Sequence, residues 1–205
     1  RKEEYKELNP EKYQDTIEHV IRKGNTPAGM HISIMVPEIL DFLQIQPGQT
    51  GFDATLGYGG HTRAMLTKLN GHGHIYATDV DPEESAKTRK RLADLGFGDD
   101  ILTIRLQNFC TIDEIAREAG GFDFLLADLG VSSMQIDNPK RGFSFKMDGP
   151  LDLRLNQEKG ISAAQRLETI SRDELAGMFY ENSDEPYSDE IARAITDYIR
   201  RGNHV

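Results

Sequence analysis

The sequence has one cysteine, no tryptophan and no long apolar run. A single cysteine cannot form a disulfide within the chain, so we expect a cytoplasmic protein in a reducing compartment. A membrane span needs an apolar stretch of about 18 residues, so none is predicted. We interpret Cys110 as a small buried residue after a strand, with a nucleophilic role as the alternative.

Basic residues are outnumbered: 24 Lys and Arg against 34 Asp and Glu give a net charge of −10. A chain of this charge is not expected to coat nucleic acid non-specifically. It can still hold a folded nucleic acid through one local basic patch. Its length of 205 residues is typical of one domain with an appendage.

Short apolar strands alternate with helices through the middle of the chain. The strands are predicted at residues 51–56, 74–79, 101–106 and 122–127. This alternation predicts an α/β fold with a mostly parallel sheet covered on both faces. The predicted organisation is a charged helical extension (1–29), an α/β core (30–135) and a loop followed by helices (136–205).

The stretch FDATLGYGGHTRAML places Gly57, Gly59 and Gly60 between a strand and a helix. The nicotinamide fingerprint would have a third glycine where Thr62 stands, and a phosphate-binding loop would need a lysine that is missing here. Asp79 follows about 20 residues later, where a carboxylate can accept hydrogen bonds from a ribose diol. Turn and acid together favour an adenosyl ligand such as S-adenosylmethionine, with a purely structural turn or a nicotinamide-binding oxidoreductase as alternatives.

Four blocks of the chain carry a resemblance to a known family: DATLGYGGHTRAML, ATDVDP, DLGVSSMQ and RGFSFKMDGPLDLRLN. Together they resemble the ribosomal RNA small subunit methyltransferase H family, also called MraW, over residues 31–200. The resemblance implies a Rossmann-like S-adenosylmethionine methyltransferase with an inserted helical domain. The implied activity is methylation of the exocyclic N4 of a cytidine in the decoding region of 16S ribosomal RNA, naked or in the small ribosomal subunit.

The resemblance also implies roles for individual residues. Cofactor contacts are expected from Gly59, Gly60, His61, Asp79, Phe109, Asp128 and Gln135. Catalytic acceptors for the amine are expected at Asp128 and at Ser132 or Ser133. Substrate contacts are expected from a basic and aromatic cluster, Lys140, Arg141, Phe143, Phe145 and Arg154. The alternatives are a core position for Phe109 and a loop-anchoring role for the other phenylalanines. No metal site is predicted, because His61 has no second ligand at metal spacing.

Some features depart from the family pattern. Ser33 stands where the family usually has proline, although Glu38 still matches. Residues 1–24 could pack on the sheet, form a homodimer or contact RNA. The family continues past Val205 to complete its sheet, so we expect a fragment of a longer protein. The alternatives are a partner chain that supplies the missing strands, or a shortened relative that binds RNA or the ribosome without catalysing.

Overall fold

The structure, a computed structural model, describes residues 33–204. The predicted extension 1–29, with its possible roles in dimerisation or RNA contact, lies outside these residues. The chain divides into two compact units between Leu129 and Gly130. This division comes earlier in the chain than the boundary predicted after residue 135.

The first unit alternates helices and strands. Its elements are α1 (Val36–Leu43), β1 (Thr50–Asp53), α2 (Gly60–Leu69), β2 (His74–Asp79), α3 (Pro82–Asp94), β3 (Leu102–Leu106), a 3-10 helix (Phe109–Thr111), α4 (Ile112–Ala119) and β4 (Phe124–Leu126). Helix α3 begins with proline in its first turn, where the missing N–H costs no helical hydrogen bond. The side chain of Asp81 caps it by accepting from the N–H groups of Glu83 and Glu84.

The four strands form one parallel sheet in the order β3-β2-β1-β4. The predicted parallel α/β fold is therefore confirmed. Asp53 at the end of β1 lies opposite Ala77 of β2 and Leu126 of β4. The chain leaves β1 towards β2 on one side, and β4 joins on the other side. Such a switch point at the carboxyl ends of parallel strands forms the ligand crevice in folds of this type.

Side chains alternate between the two faces of the sheet and bury both. On one face, Met65, Leu66 and Leu69 of α2 pack with Ile75 and other buried residues of the strands. On the other face, Phe52, Ala54 and Ile115 form a second cluster, with Tyr76 and Phe122 packed against it. This double burial fixes the strand ends, and with them the loops that follow each strand.

The second unit is helical after a long loop. Its elements are α5 (Ser133–Ile136), a 3-10 helix (Pro139–Arg141), α6 (Ala163–Thr169), α7 (Arg172–Ser183) and α8 (Ser188–Arg200). Ile170, Leu175, Ala176 and Ala192 form its core. Ser171 caps α7 by accepting from the N–H of Glu174, but the Glu174 carboxylate pairs with Arg166. The capping signature in the sequence is thus half formed.

Cys110 is exposed, not buried as predicted, because it lies in the 3-10 helix that Asn108 caps with its side chain. Within residues 33–204, every helix is too short or too polar to cross a bilayer.

Candidate cofactor and active site

The glycine-rich turn between β1 and α2 adopts a backbone that side chains would disturb. Gly57 and Gly59 have positive φ angles of 48° and 81°, and Gly59 is the N-cap residue of α2. A Cβ atom on Gly59 would lie 2.6 Å from the Cγ2 atom of Thr88. The N–H of Gly59 donates to the carbonyl of Leu56 at 2.8 Å. The next N–H groups, those of Gly60 and His61, begin the helix and have no acceptor within it.

Asp79 fastens this turn to the end of β2. The N–H of Gly57 donates to its Oδ2 atom at 2.7 Å, and the N–H of Asp81 donates to Oδ1 at 2.9 Å. The hydroxyl of Thr88 donates to the carbonyl of Gly57 at 2.6 Å. Both carboxylate oxygens of Asp79 are therefore oriented by backbone donors. Each oxygen keeps a second lone pair with which it can accept a ligand hydroxyl.

Asp53, at the end of β1, also stabilises the turn. It is almost fully buried, with 1% of its surface exposed. The hydroxyl of Thr62 donates to its Oδ2 atom at 2.5 Å, and the N–H of Thr55 donates to Oδ1 at 3.0 Å. Burial raises the pKa of Asp53, and the hydrogen bond from Thr62 opposes that rise. A carboxylate and a hydroxyl thus join β1 to the first turn of α2.

Arg91 of α3 contacts the turn at Tyr58. Its guanidinium carbon lies 3.6 Å from the centre of the Tyr58 ring, a distance typical of a cation–π contact. Its Nη1 atom donates to the carbonyl of Tyr58 at 2.6 Å. The turn is therefore fixed from three elements, β1, β2 and α3, before any ligand binds.

His61 and Asp128 form a second feature of the same crevice. The Nε2 atom of His61 lies 2.8 Å from the carbonyl oxygen of Ile34, which can only accept, so Nε2 carries a proton. In the neutral imidazole Nδ1 is then an acceptor, and it lies 3.8 Å from Oδ2 of Asp128. His61 is buried, whereas the Asp128 side chain is 48% exposed. Because the two acceptors are only 3.8 Å apart, one NH2 group that lies beside both of them can donate an N–H to each.

Asp128 and Phe109 both follow strand ends at the ligand edge of the sheet. The N–H of Asp128 donates to the hydroxyl of Thr55 at 2.8 Å, which ties the end of β4 to the loop after β1. Phe109 begins the 3-10 helix after β3, and Leu106 of β3 lies opposite Asp79. Phe109 is 41% exposed. Phe109 is thus a surface aromatic on the ligand edge rather than a core residue.

Ser132, Ser133 and Gln135 belong to the second unit. The Oγ atom of Ser132 accepts from the N–H of Gln135 at 3.3 Å, and Oε1 of Gln135 accepts from the N–H of Ser132 at 2.9 Å. This capping box starts the short helix α5, in which Ser133 is the first residue. The local geometry of Ser132 to Gln135 is therefore set by their own side chains.

The predicted substrate residues differ in their surroundings. Arg141 is buried, and its Nη1 atom donates to the carbonyl of Leu155 at 2.7 Å. Arg154 forms two hydrogen bonds with Asp152, from Nε at 2.8 Å and from Nη2 at 2.7 Å. Phe143 is half-buried, and Lys140 and Phe145 are exposed. The structure therefore turns the two arginines inward and leaves the lysine and Phe145 outward.

The MraW methylase family matches residues 28–204. The chain belongs to this family. It is 80% identical to "Ribosomal RNA small subunit methyltransferase H 1" of Agathobacter rectalis, over 99% of this chain and 58% of the relative. It is 71% identical to the protein of the same name from Lachnoclostridium phytofermentans, over 100% of this chain and 56% of the relative. The chain thus spans little more than half the length of these relatives.

S-adenosylmethionine is the cofactor that this methylase family implies, and the residues of the first unit fit it. The turn has no side chain at Gly59 or Gly60, and a Cβ on Gly60 would lie 2.1 Å from the hydroxyl oxygen of Ser33. Asp79 offers oriented acceptors to a ribose, and Phe109 offers an exposed ring. Among residues 33–204, no group of three or more potential metal ligands comes together.

Sequence reasoning missed three residues of this site. Asp53, Thr62 and Arg91 were not assigned any role, although each one holds the turn. The usable signals were an aspartate that ends an otherwise apolar strand and a hydroxyl at the position of the third fingerprint glycine. Arg91 gave no signal, because its contact with Tyr58 depends on how α3 lies beside the turn.

Proposed function

We propose that this chain is part of an S-adenosylmethionine-dependent methyltransferase that modifies the exocyclic N4 of a cytidine in the decoding region of 16S ribosomal RNA. The observation that carries the proposal is the acceptor pair formed by His61 Nδ1 and Asp128 Oδ2, 3.8 Å apart. An exocyclic amine carries two N–H groups and can donate to both acceptors at once. A carbonyl or a carboxylate substrate could donate to neither.

The cofactor would be held by the first unit, and its bound form supplies an electrophilic methyl group on a sulfonium centre. Asp79 accepts hydrogen bonds from the ribose hydroxyls, while its other lone pairs stay on Gly57 and Asp81. Phe109 would lie beside the adenine. The N–H groups of Gly60 and His61 would donate to the methionine portion. Gln135 stays a predicted cofactor contact.

Asp128 acts on the target amine. The lone pair of a cytosine amine is delocalised into its ring, so the nitrogen is a weak nucleophile. By accepting one N–H, Asp128 Oδ2 favours a pyramidal nitrogen and fixes its direction. Orientation of this kind can supply roughly 7–11 kcal/mol of the barrier reduction. The proton that the amine loses moves to Asp128 Oδ2 or to His61 Nδ1. Ser132 or Ser133 is proposed as an additional acceptor, because the Ser132 hydroxyl keeps a second lone pair beside the one that accepts from Gln135.

The second unit would contribute the contacts to RNA. Lys140, Phe143 and Phe145 are accessible or partly accessible and can meet the substrate directly. Arg141 and Arg154 would support binding by holding the loop, because Arg141 is buried and donates to the carbonyl of Leu155, while Arg154 donates to Asp152 and Gly160. A cytidine must leave its stack to be methylated, so an aromatic contact is expected near the target.

The test is methyl transfer to small ribosomal subunits that lack this modification. We expect labelled methyl from S-adenosylmethionine to appear in 16S rRNA, with N4-methylcytidine identified by nucleoside mass spectrometry. Asp128→Ala is expected to reduce the rate on the order of 100-fold or more, with calorimetric S-adenosylmethionine binding retained in part. Asp113→Ala, at an exposed aspartate on α4 that pairs with Arg117 one turn away, is the control and should have no effect.

Two results would contradict the proposal. One is a methyl group found on another atom of the RNA. The other is an Asp128→Ala protein that is folded and fully active. Calorimetry with NAD in place of S-adenosylmethionine checks the cofactor class separately, and we expect no binding of NAD.

A further inference from the structure

The loop from Pro139 to Ser162, here named the crossed loop, is tied together by its own backbone. The N–H of Leu153 donates to the carbonyl of Arg141 at 3.1 Å. The buried Arg141 side chain reaches across and donates to the carbonyl of Leu155 at 2.7 Å. At its far end, the N–H of Ala163 in α6 donates to the carbonyl of Asp152 at 2.9 Å. The two halves of the crossed loop are therefore joined at several points.

Two glycines mark the places where these halves touch. A Cβ on Gly142, whose φ is +76°, would lie 2.2 Å from the carbonyl oxygen of Pro150. A Cβ on Gly149 would lie 2.1 Å from the carbonyl oxygen of Pro139. Only residues without a side chain permit such close backbone contact. The crossing fixes the start and the end of the segment 143–148 between these two glycines.

The charges of the crossed loop are distributed unevenly. Arg154 donates from Nε and Nη2 to the Asp152 carboxylate and from Nη1 to the carbonyl of Gly160. Its charge is therefore neutralised within the loop. Lys140 and Lys146, by contrast, are exposed and have no ion-pair partner among residues 33–204. Lys159 is exposed as well, and the exposed Asp148 and Glu158 offset part of this positive charge. Lys140 and Lys146 are the unpaired cations nearest to Phe145 in the sequence.

Phe145 is the most exposed large apolar residue of the described chain, at 99%. Ser144 accepts the N–H of Lys146 at 3.1 Å, so the residues on either side of Phe145 are joined in a tight turn. A fully exposed phenylalanine gains nothing for folding, because no apolar surface is buried. Its position between two fixed glycines instead presents a ring at the tip of an ordered segment, next to lysines that can meet phosphates.

We propose that Phe145 stacks on an unpaired base of the RNA, with Lys140 and Lys146 contacting neighbouring phosphates, while Arg141 and Arg154 only hold the loop. This inference rests on the proposed function in one respect, that the partner is RNA. A base in a duplex has both faces covered, whereas a base in a single strand can stack on an aromatic side chain. The fitting partner is therefore single-stranded RNA and not a duplex.

The absence of tryptophan in the sequence permits a direct test of the stacking. Phe145→Trp would carry a single indole at the tip of the crossed loop. We expect its emission to be quenched by a single-stranded oligonucleotide of the decoding-region sequence, and not by the same sequence in a duplex. Ile161→Trp is the matched control, since residue 161 is exposed in the same loop. It should bind the oligonucleotide equally well without quenching.

Affinity provides the second measurement, by anisotropy of a labelled oligonucleotide. Phe145→Leu keeps an apolar side chain but removes the ring, and we expect roughly tenfold or weaker binding. Arg172→Met, which removes an exposed charge on α7, should change affinity much less than Lys140→Met or Lys146→Met. Calorimetric S-adenosylmethionine binding should be the same in all of these proteins.

The inference is overturned if Phe145→Leu binds single strands as tightly as the unmodified chain, or if only duplex quenches the tryptophan. These outcomes differ from failure of the proposed function. If methyl is transferred to the small subunit but Phe145→Leu binds RNA with unchanged affinity, the stacking proposal is wrong and the methyltransferase proposal stands. If no methyl is transferred but single strands quench the tryptophan, the methyltransferase proposal is wrong and the stacking proposal stands.

Discussion

The glycine turn of the first unit and the crossed loop of the second unit are both ordered by charged side chains, but the charges have opposite signs. In the turn, the carboxylates of Asp53 and Asp79 accept hydrogen bonds from backbone and hydroxyl donors. In the crossed loop, the guanidinium groups of Arg141 and Arg154 donate to backbone carbonyls. In both regions, charged side chains therefore form hydrogen bonds with the backbone of the same region.

The difference lies in what remains for a ligand. A carboxylate has about four lone-pair sites, so Asp79 can hold two N–H groups and still accept two hydroxyls. Arg154 has most of its donors engaged and its charge neutralised by Asp152, so little is left for a phosphate. An acid can therefore hold the fold and bind the ligand at once, whereas the arginine of the crossed loop serves only the fold. Three predictions test this contrast.

The largest effect is expected at Asp79, because its removal affects both roles. Asp79→Ala leaves the N–H groups of Gly57 and Asp81 unpaired, at about 1–3 kcal/mol for each N–H that stays buried. It also removes the acceptors for the ribose. We expect S-adenosylmethionine to bind at least about 100-fold more weakly in calorimetry, with a lower free energy of unfolding in urea.

Two variants make the Asp79 measurement specific. Asp79→Asn keeps one acceptor oxygen and should lose less affinity than Asp79→Ala. Asp99→Ala removes an exposed aspartate of the same unit and should behave like the unmodified chain. Unchanged cofactor affinity in a folded Asp79→Ala protein would show that the acid serves only the turn.

The sequence located the glycine turn and Asp79 at strand ends, where the structure has them, but it did not reveal the contacts inside the crossed loop. Gly59 and Asp79 carry local signals, namely a turn after a strand and an acid at the next strand end. Arg141 and Arg154 carried only the signal of positive charge, which does not distinguish a phosphate contact from a hydrogen bond to the chain's own carbonyls. Contacts such as that of Arg141 with Leu155 depend on how the loop crosses itself, and no spacing rule describes that crossing.

The second prediction concerns the ion pair of the crossed loop. The hydrogen bonds from Arg154 lower the pKa of Asp152, so its contribution to stability is present above the ordinary Asp pKa of about 3.9. It is lost as the pH falls through the lowered pKa. Asp152→Asn should therefore lower the melting temperature at neutral pH by a few degrees, and the difference should vanish in acid.

Amide exchange locates the effect of Asp152→Asn. Faster exchange of the N–H groups of Leu153 and Ala163 is expected, because both hydrogen bonds join parts of the crossed loop. Asp189→Asn, at an exposed pair 3.7 Å from Arg172, is the control and should change neither exchange nor melting. Equal exchange in the two variants would contradict a holding role for the Asp152–Arg154 pair.

The smallest effect, and the opposite sign, is expected at Asp53. Burial raises its pKa, so the folded chain keeps this proton at a pH where the unfolded chain has released it. The stability that comes from the raised pKa is complete below about 3.9 and is lost as the pH rises through the raised value. Asp53→Asn cannot ionise, so it should remove this loss while keeping an acceptor for Thr62 or Thr55.

Melting temperatures of Asp53→Asn and the unmodified chain, measured from acid to neutral pH, give the test. Relative to the unmodified chain, Asp53→Asn should gain stability as the pH rises, whereas Asp152→Asn should lose it. Thr62→Val removes the hydroxyl that stabilises the ionised carboxylate of Asp53. This variant should therefore lose more stability than the unmodified chain as the pH rises. The prediction is wrong if the melting temperatures of both variants, relative to the unmodified chain, change in the same direction as the pH rises. The pKa values of Asp53 and Asp152 would then not be shifted in opposite directions.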